Sequence, residues 1–169
     1  MDGRSEPDED GGDSDARPPS RRVLAAIAVG LLPWTVLFRR QYLDLFFSFG
    51  LVPVGPSGVT TVTDFYFRHT AGLPEYLNAW GLGVLLFAVG LANALFGLVS
   101  ERFGLALRED PRITAAMYVF AGFGQLVFVL GFLRRPSGYV AVPLGTLLLW
   151  GLVWRYYRRD LASMFRYGD

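Results

Sequence analysis

The sequence predicts an all-α fold: a four-helix transmembrane bundle with a disordered acidic N-terminal tail and a structured outer loop between helices 1 and 2. Three observations predict it. Leu77 to Val99 (LNAWGLGVLLFAVGLANALFGLV) is 23 residues long without a charge. At about 1.5 Å per residue it gives about 35 Å of helix, enough to cross a hydrocarbon core of about 30 Å. Two further apolar runs follow it and a shorter one precedes it. The charge is also segregated, with seven acids and two arginines in residues 1–20 but fourteen arginines and eight acids in residues 21–169. That basic excess flanks the apolar runs, where lipid headgroups account for it better than nucleic acid does. Residues 21–169 read as one membrane domain with spans at about 22–38, 75–99, 112–133 and 138–156.

The tail, residues 1–20, is rich in Asp, Glu, Gly and Pro and has almost no large apolar side chain, so it cannot bury a core. Ser20-Arg21-Arg22 opens the first apolar run, which Arg39-Arg40 closes. A serine, paired arginines and an apolar run also outline a twin-arginine export signal. No small-residue cleavage site follows, and three further spans do, which favours a membrane anchor. The run is slightly short for a span, and arginine stems at both ends extend it by snorkelling.

The link from Arg39 to Leu73 is the longest between spans. Gln41 to Val54 (QYLDLFFSFGLVPV) is apolar but carries Asp44 and is too short to cross, so an interfacial or partly re-entrant segment is expected. Pro53 to Gly58 is turn chemistry, Val59 to Thr63 is β-branched and extended, and Asp64 to Thr70 suits a short helix. Pro74 sits at the N1 position of the second helix with Glu75 in its first turn. Asp110-Pro111 supplies N-cap and N1 for the third helix, which runs to Leu133. Pro143 either kinks the fourth helix or marks a late start. The tail from Arg155 to Asp169 interleaves Tyr156, Leu161, Met164 and Phe165 with arginines, as a helix along the headgroups would.

Arginines near the span ends set the orientation. Arg17, Arg21, Arg22, Arg102, Arg108, Arg112, Arg155, Arg158, Arg159 and Arg166 fall on one side, and Arg39, Arg40, Arg68, Arg134 and Arg135 on the other. The expected location is the cell membrane, multi-pass, with both termini cytoplasmic. Trp34, Trp80 and Tyr139 then fall near the outer interface and Trp150, Trp154, Tyr156 and Tyr157 near the inner one.

Glycines recur at a spacing of seven: Gly83, Gly90 and Gly97, then Gly124 and Gly131, then Gly138 and Gly145. That spacing keeps small residues on one seam of a left-handed bundle, suited either to packing within the chain or to a homo-oligomer or membrane-protein partner. Polar residues inside the spans are few and uncharged. Depth counting brings Gln125 level with Thr35 and Thr146, as a hydrogen-bonded layer or a path for a small neutral solute; Asn93 needs another partner. No Asp, Glu, Arg or His lies in mid-span, which weighs against an ion-coupled pump.

Catalytic signatures are absent. The single histidine, His69, shares the outer link with Asp44, Asp64 and Glu75, but no ligand spacing joins them, so no metal is expected. The chain has no cysteine, no G-x-S-x-G and no phosphate-binding glycine loop; Gly122-Phe123-Gly124 falls mid-helix and is no dinucleotide fingerprint. No catalytic residue, cofactor or nucleic-acid partner is therefore expected, only the lipid bilayer and protein partners. Every basic residue is arginine, and with the acidic tail this suits a GC-rich, salt-adapted source, a halophilic archaeon or a high-GC bacterium.

The string VTTVTDFYFRHTAGLPEYLNAWGLG, with LLPWTVL before it and REDPRITA and AVPLGTLLLW after it, resembles an uncharacterised family of small multi-pass membrane proteins from halophilic archaea. The resemblance covers nearly the whole chain apart from the acidic tail. It implies location and source and carries no site residues. The expected function is that of a non-enzymatic structural or accessory subunit, with a passive channel or transporter for a small neutral solute as the alternative.

Overall fold

The computed structural model describes residues 19–39, 42–54, 58–68, 75–104, 109–134 and 140–165. It replaces the expected all-α four-helix bundle with a mixed fold. The order is α1 (Pro19–Leu31), β1 (Thr35–Arg39), β2 (Tyr42–Phe46), β3 (Gly50–Val54), β4 (Thr60–Thr61), α2 (Val62–Arg68), α3 (Glu75–Phe103), α4 (Pro111–Leu133), β5 (Val140–Val142), α5 (Leu144–Tyr156) and α6 (Arg158–Phe165). The strands form one sheet in the order β4-β3-β2-β1-β5, and every neighbouring pair is antiparallel. Among the described residues only α3 and α4 are long and apolar enough to cross a membrane.

The two long helices sit where the sequence puts them. Asp110 caps α4, its carboxylate accepting from the Arg112 amide at 2.9 Å, with Pro111 inside the first turn. Gly104 takes φ +64° directly after α3, a left-handed stop that costs glycine little. The helices pack closely through their glycines. A Cβ on Gly124 would lie 2.8 Å from the Ala79 carbonyl and 3.2 Å from the Gly83 Cα, and one on Gly83 would lie 3.1 Å from the Ala121 carbonyl.

The first and fourth apolar runs are where the expected fold fails. Each divides into a helix of 13 residues and a short strand, of five residues in the first and three in the fourth. Pro33 disfavours helix in the residue before it, and the β-branched and aromatic run Thr35-Val36-Leu37-Phe38 then extends as β1. On the other side Val140-Ala141-Val142 pairs with β1, and Pro143 marks a late start for α5. A helix that stops beside its neighbours leaves carbonyls to satisfy. The Trp34 indole donates to the Val29 carbonyl at 2.9 Å and the Ser48 hydroxyl to the Gly30 carbonyl at 2.6 Å. Trp34 also fixes the junction through its backbone: its amide donates to the Phe46 carbonyl at 2.7 Å, and its carbonyl accepts from the Gly145 amide at 2.6 Å.

Within the stretch expected to be interfacial or re-entrant, Gln41 to Val54, residues 42–54 form the β2–β3 hairpin. Val59 to Thr63 contributes β4 and the start of α2. Thr61 caps α2, its hydroxyl accepting from the Asp64 amide at 3.1 Å. The acidic tail before Pro19, His69 and Gly138 lie outside the described residues.

Two apolar cores follow. At the sheet end Leu37, Phe46 and Ala141 meet Leu77 and Trp80 of α3 and Phe128, Val129 and Phe132 of α4. Phe46 is its hub, with ring centroids 5.5 Å from Trp80, 4.9 Å from Phe128 and 6.2 Å from Phe132. At the opposite end, the termini end, where the described residues begin and finish, Ala26 and Val29 of α1 and Leu149, Leu152 and Val153 of α5 pack on Phe87, Ala115, Tyr118 and Ala121. Trp34 and Trp80 are fully buried in these cores, not set in an interfacial belt.

Candidate functional site

The polar layer expected at mid-bundle forms in part. Gln125 and Thr35 are both fully buried, and the Thr35 hydroxyl lies 3.4 Å from Gln125 Oε1, a long hydrogen bond. Thr146 does not join them: its hydroxyl donates to the Gly122 carbonyl at 2.9 Å. Gln125 Nε2 has no hydrogen-bond partner among the described residues and rests against Gly83, where a Cβ would stand 3.0 Å away. The layer is close-packed.

A second polar cluster lies at the termini end, and the sequence singled out only Asn93 from it. Asn93 Nδ2 donates to the Thr114 hydroxyl at 2.9 Å and the Asp110 carbonyl at 3.2 Å. Thr114 in turn donates to Glu109 at 2.9 Å. Around this acid stand Tyr157, which follows α5, and Tyr118 of α4, both fully buried, with ring centroids 6.1 Å apart. The Tyr118 phenol oxygen has no hydrogen-bond partner among the described residues, and the Tyr157 phenol faces Glu109. Arg22 of α1 stacks over the Tyr157 ring at 5.1 Å and pairs with Asp160 of α6 at 3.5 Å.

Burial raises the Glu109 carboxyl above its ordinary range, while the Thr114 hydrogen bond and the Arg22 charge pull it back. Burial and then the Glu109 charge raise the Tyr157 phenol, and Arg22 opposes them. The cluster ties the ends of α1, α3, α4 and α6 together around a carboxyl whose burial favours its protonated form. Spacing could not reveal it, because Arg22, Glu109 and Asp160 are scattered along the chain and meet only through the helix ends.

A third polar contact shapes the start of α3. The Tyr66 hydroxyl donates to the Leu77 carbonyl and accepts from the Gly81 amide at 3.1 Å. Those two backbone groups are four residues apart, so the hydroxyl bridges one turn near the start of α3. Burial raises the Tyr66 phenol, and the Gly81 amide opposes that.

The residues weighed for a metal site on the outer link do not converge within the described residues. Asp44 pairs in register with Leu37 and Pro53 inside the sheet, and Asp64 accepts from Thr61 at 3.0 Å and pairs with Arg68 at 3.4 Å. The seam glycines meet partners within the chain: Gly90 faces Met117 and Tyr118, Gly97 faces Glu109, Gly131 faces Tyr76 and Gly145 faces Trp34.

Comparison with curated proteins and with solved structures finds no match. A family model does match, over residues 6–166, and the chain belongs to that family, which is described as "Domain of unknown function (DUF8050)".

Proposed function

We propose that this chain is an integral protein of the cell membrane in which α3 and α4 cross the bilayer as a hairpin. In this reading the termini are cytoplasmic and the sheet lies at the outer headgroup level. The observation that carries it is the apolar surface of the hairpin. Leu82, Leu85, Val89, Phe96, Val99 and Phe103 are exposed along one face of α3 at helical spacing, and Ile113, Phe120, Phe123, Val127 and Leu130 along α4. Only 28% and 39% of the two apolar windows is buried within the fold, which supports a lipid-facing hairpin. α1 and α5, 13 residues or about 20 Å each, accompany the hairpin part of the way. Arg21, Arg22, Arg102, Arg112, Arg155, Arg158 and Arg159 gather at the termini end, against Arg39, Arg68 and Arg134 at the sheet end, which supports the orientation.

Its role is that of a non-enzymatic structural or accessory subunit. Support comes from the Gln125 level, where Gly83, Thr35 and Ala121 leave the amide enclosed. The second reading, a passive path for a small neutral solute, draws on the unpartnered Gln125 Nε2, which a polar solute would satisfy. Gentle purification from native membranes with mass spectrometry of companions separates them. A stoichiometric protein partner is expected; recovery alone, with solute flux in liposomes that Gln125→Leu abolishes, would overturn the accessory role. Protease added to intact cells is expected to spare both termini, and cleavage there would reverse the orientation.

A further inference from the structure

Where α4, α5 and α6 meet near the termini end, the surface is not flat. Val119, Phe123, Trp150, Val153, Trp154 and Leu161 line a groove of about 370 Å³, within the range of about 300–1,000 Å³ typical of sites that hold small molecules. Its lining is apolar except at Arg158, which belongs to α6 beyond the last turn of α5. The walls are preset. The Trp150 indole donates to the Val119 carbonyl at 3.2 Å, and its ring meets Phe123 edge-on at 5.0 Å. Phe123 and Trp154 remain open to the outside, Trp154 with 71% of its surface exposed.

The groove therefore has an apolar floor, a lateral opening on the face assigned to lipid, and a guanidinium at the end assigned to the cytoplasmic headgroups. Arg158 makes no ion pair among the described residues. A guanidinium with free donors binds phosphate oxygens in a planar, charge-assisted fork, and tryptophan favours the boundary between headgroup and hydrocarbon. We infer that this groove holds a hydrocarbon chain of an anionic membrane phospholipid, whose phosphate is bound by Arg158 at the cytoplasmic headgroup level. The inference rests on the proposed membrane placement and adds a ligand to it.

The test is native mass spectrometry of the detergent-solubilised full chain, titrated in parallel with phosphatidylglycerol and phosphatidylcholine. One phosphatidylglycerol is expected to be retained about tenfold more tightly than phosphatidylcholine, whose quaternary ammonium offsets the phosphate charge that Arg158 meets. Arg158→Glu and Arg158→Gln should each remove that preference, and Trp154→Ala, at an exposed position, should weaken retention of both lipids. Equal retention of the two lipids by the unaltered chain, or a preference that survives in both Arg158 variants, would overturn the inference. Fractionation of cells keeps the two levels apart. A chain found in membranes that retains no lipid overturns the lipid site alone, whereas one recovered in the soluble fraction overturns the membrane placement and the lipid site with it.

Discussion

The two ends of the α3–α4 hairpin are held by different physics. At the sheet end Phe46 reaches from β2 into a nest of Trp80, Phe128 and Phe132, and the contacts are apolar and aromatic. At the termini end the same two helices are joined to α1 and α6 through Asn93, Thr114, Glu109, Arg22 and Asp160. Burial of large rings scales with area and ignores pH, whereas a cluster around a half-buried carboxyl answers to proton and salt concentration. The sheet end is a fixed clamp, and the other adds a conditional one to its apolar core.

The comparison breaks most visibly at Phe46. Phe46→Ala empties the hub of the sheet-end core and should cost about 3–5 kcal/mol, read as a fall in the melting temperature in detergent. If the loss is below about 1 kcal/mol, the sheet is not anchored to the hairpin through this ring. Next comes the seam shared by both ends. Gly124→Ala places a methyl against the Ala79 carbonyl and the Gly83 Cα, backbone atoms that cannot rotate away, and should cost about 1–3 kcal/mol. Tyr66→Phe should cost about 1 kcal/mol, the value of the hydrogen bonds its hydroxyl makes to the first turns of α3.

The conditional end is tested by pH. Glu109 has a raised pKa in the fold, so the folded chain binds more protons there than the unfolded one. Its contribution is fullest below the unfolded value of about 4.3 and falls as pH rises through the folded value. Glu109→Gln should flatten that decline, measured as melting temperature against pH. An unchanged slope would place the sensitivity elsewhere. Smallest of all, Asp160→Asn removes the partly exposed ion pair to Arg22 and should cost about 0–1 kcal/mol, less at high salt.

The sequence was legible where length and caps speak together. α4 begins at Pro111 behind Asp110, as the capping residues require, whereas Pro74, expected to open α3, lies outside the described residues. The sheet was obscured because apolarity alone does not separate a buried helix from a buried strand. The signals were present: a first run slightly short for a span, Pro33 inside it, β-branched Thr35 and Val36 after it, and Val140-Ala141-Val142 stopped by Pro143. Of the candidate polar residues, Gln125 and Thr35 meet, because neighbouring elements present them at one level. Thr146 finds a carbonyl on α4, a partner that no count of side chains could supply.

The junction at Trp34 has a consequence for how the chain is made. Its carbonyl is bonded by Gly145, and β1 takes β5 as its outer neighbour, so groups translated early wait for groups translated near the end. α1 can close its own turns and β1 can pair with β2 as soon as they are made, but the β5-facing edge of β1 and the Trp34 carbonyl stay open until residues 140–145 have been translated. The sheet is thus sealed from its far side, by a strand made about a hundred residues after the one it covers.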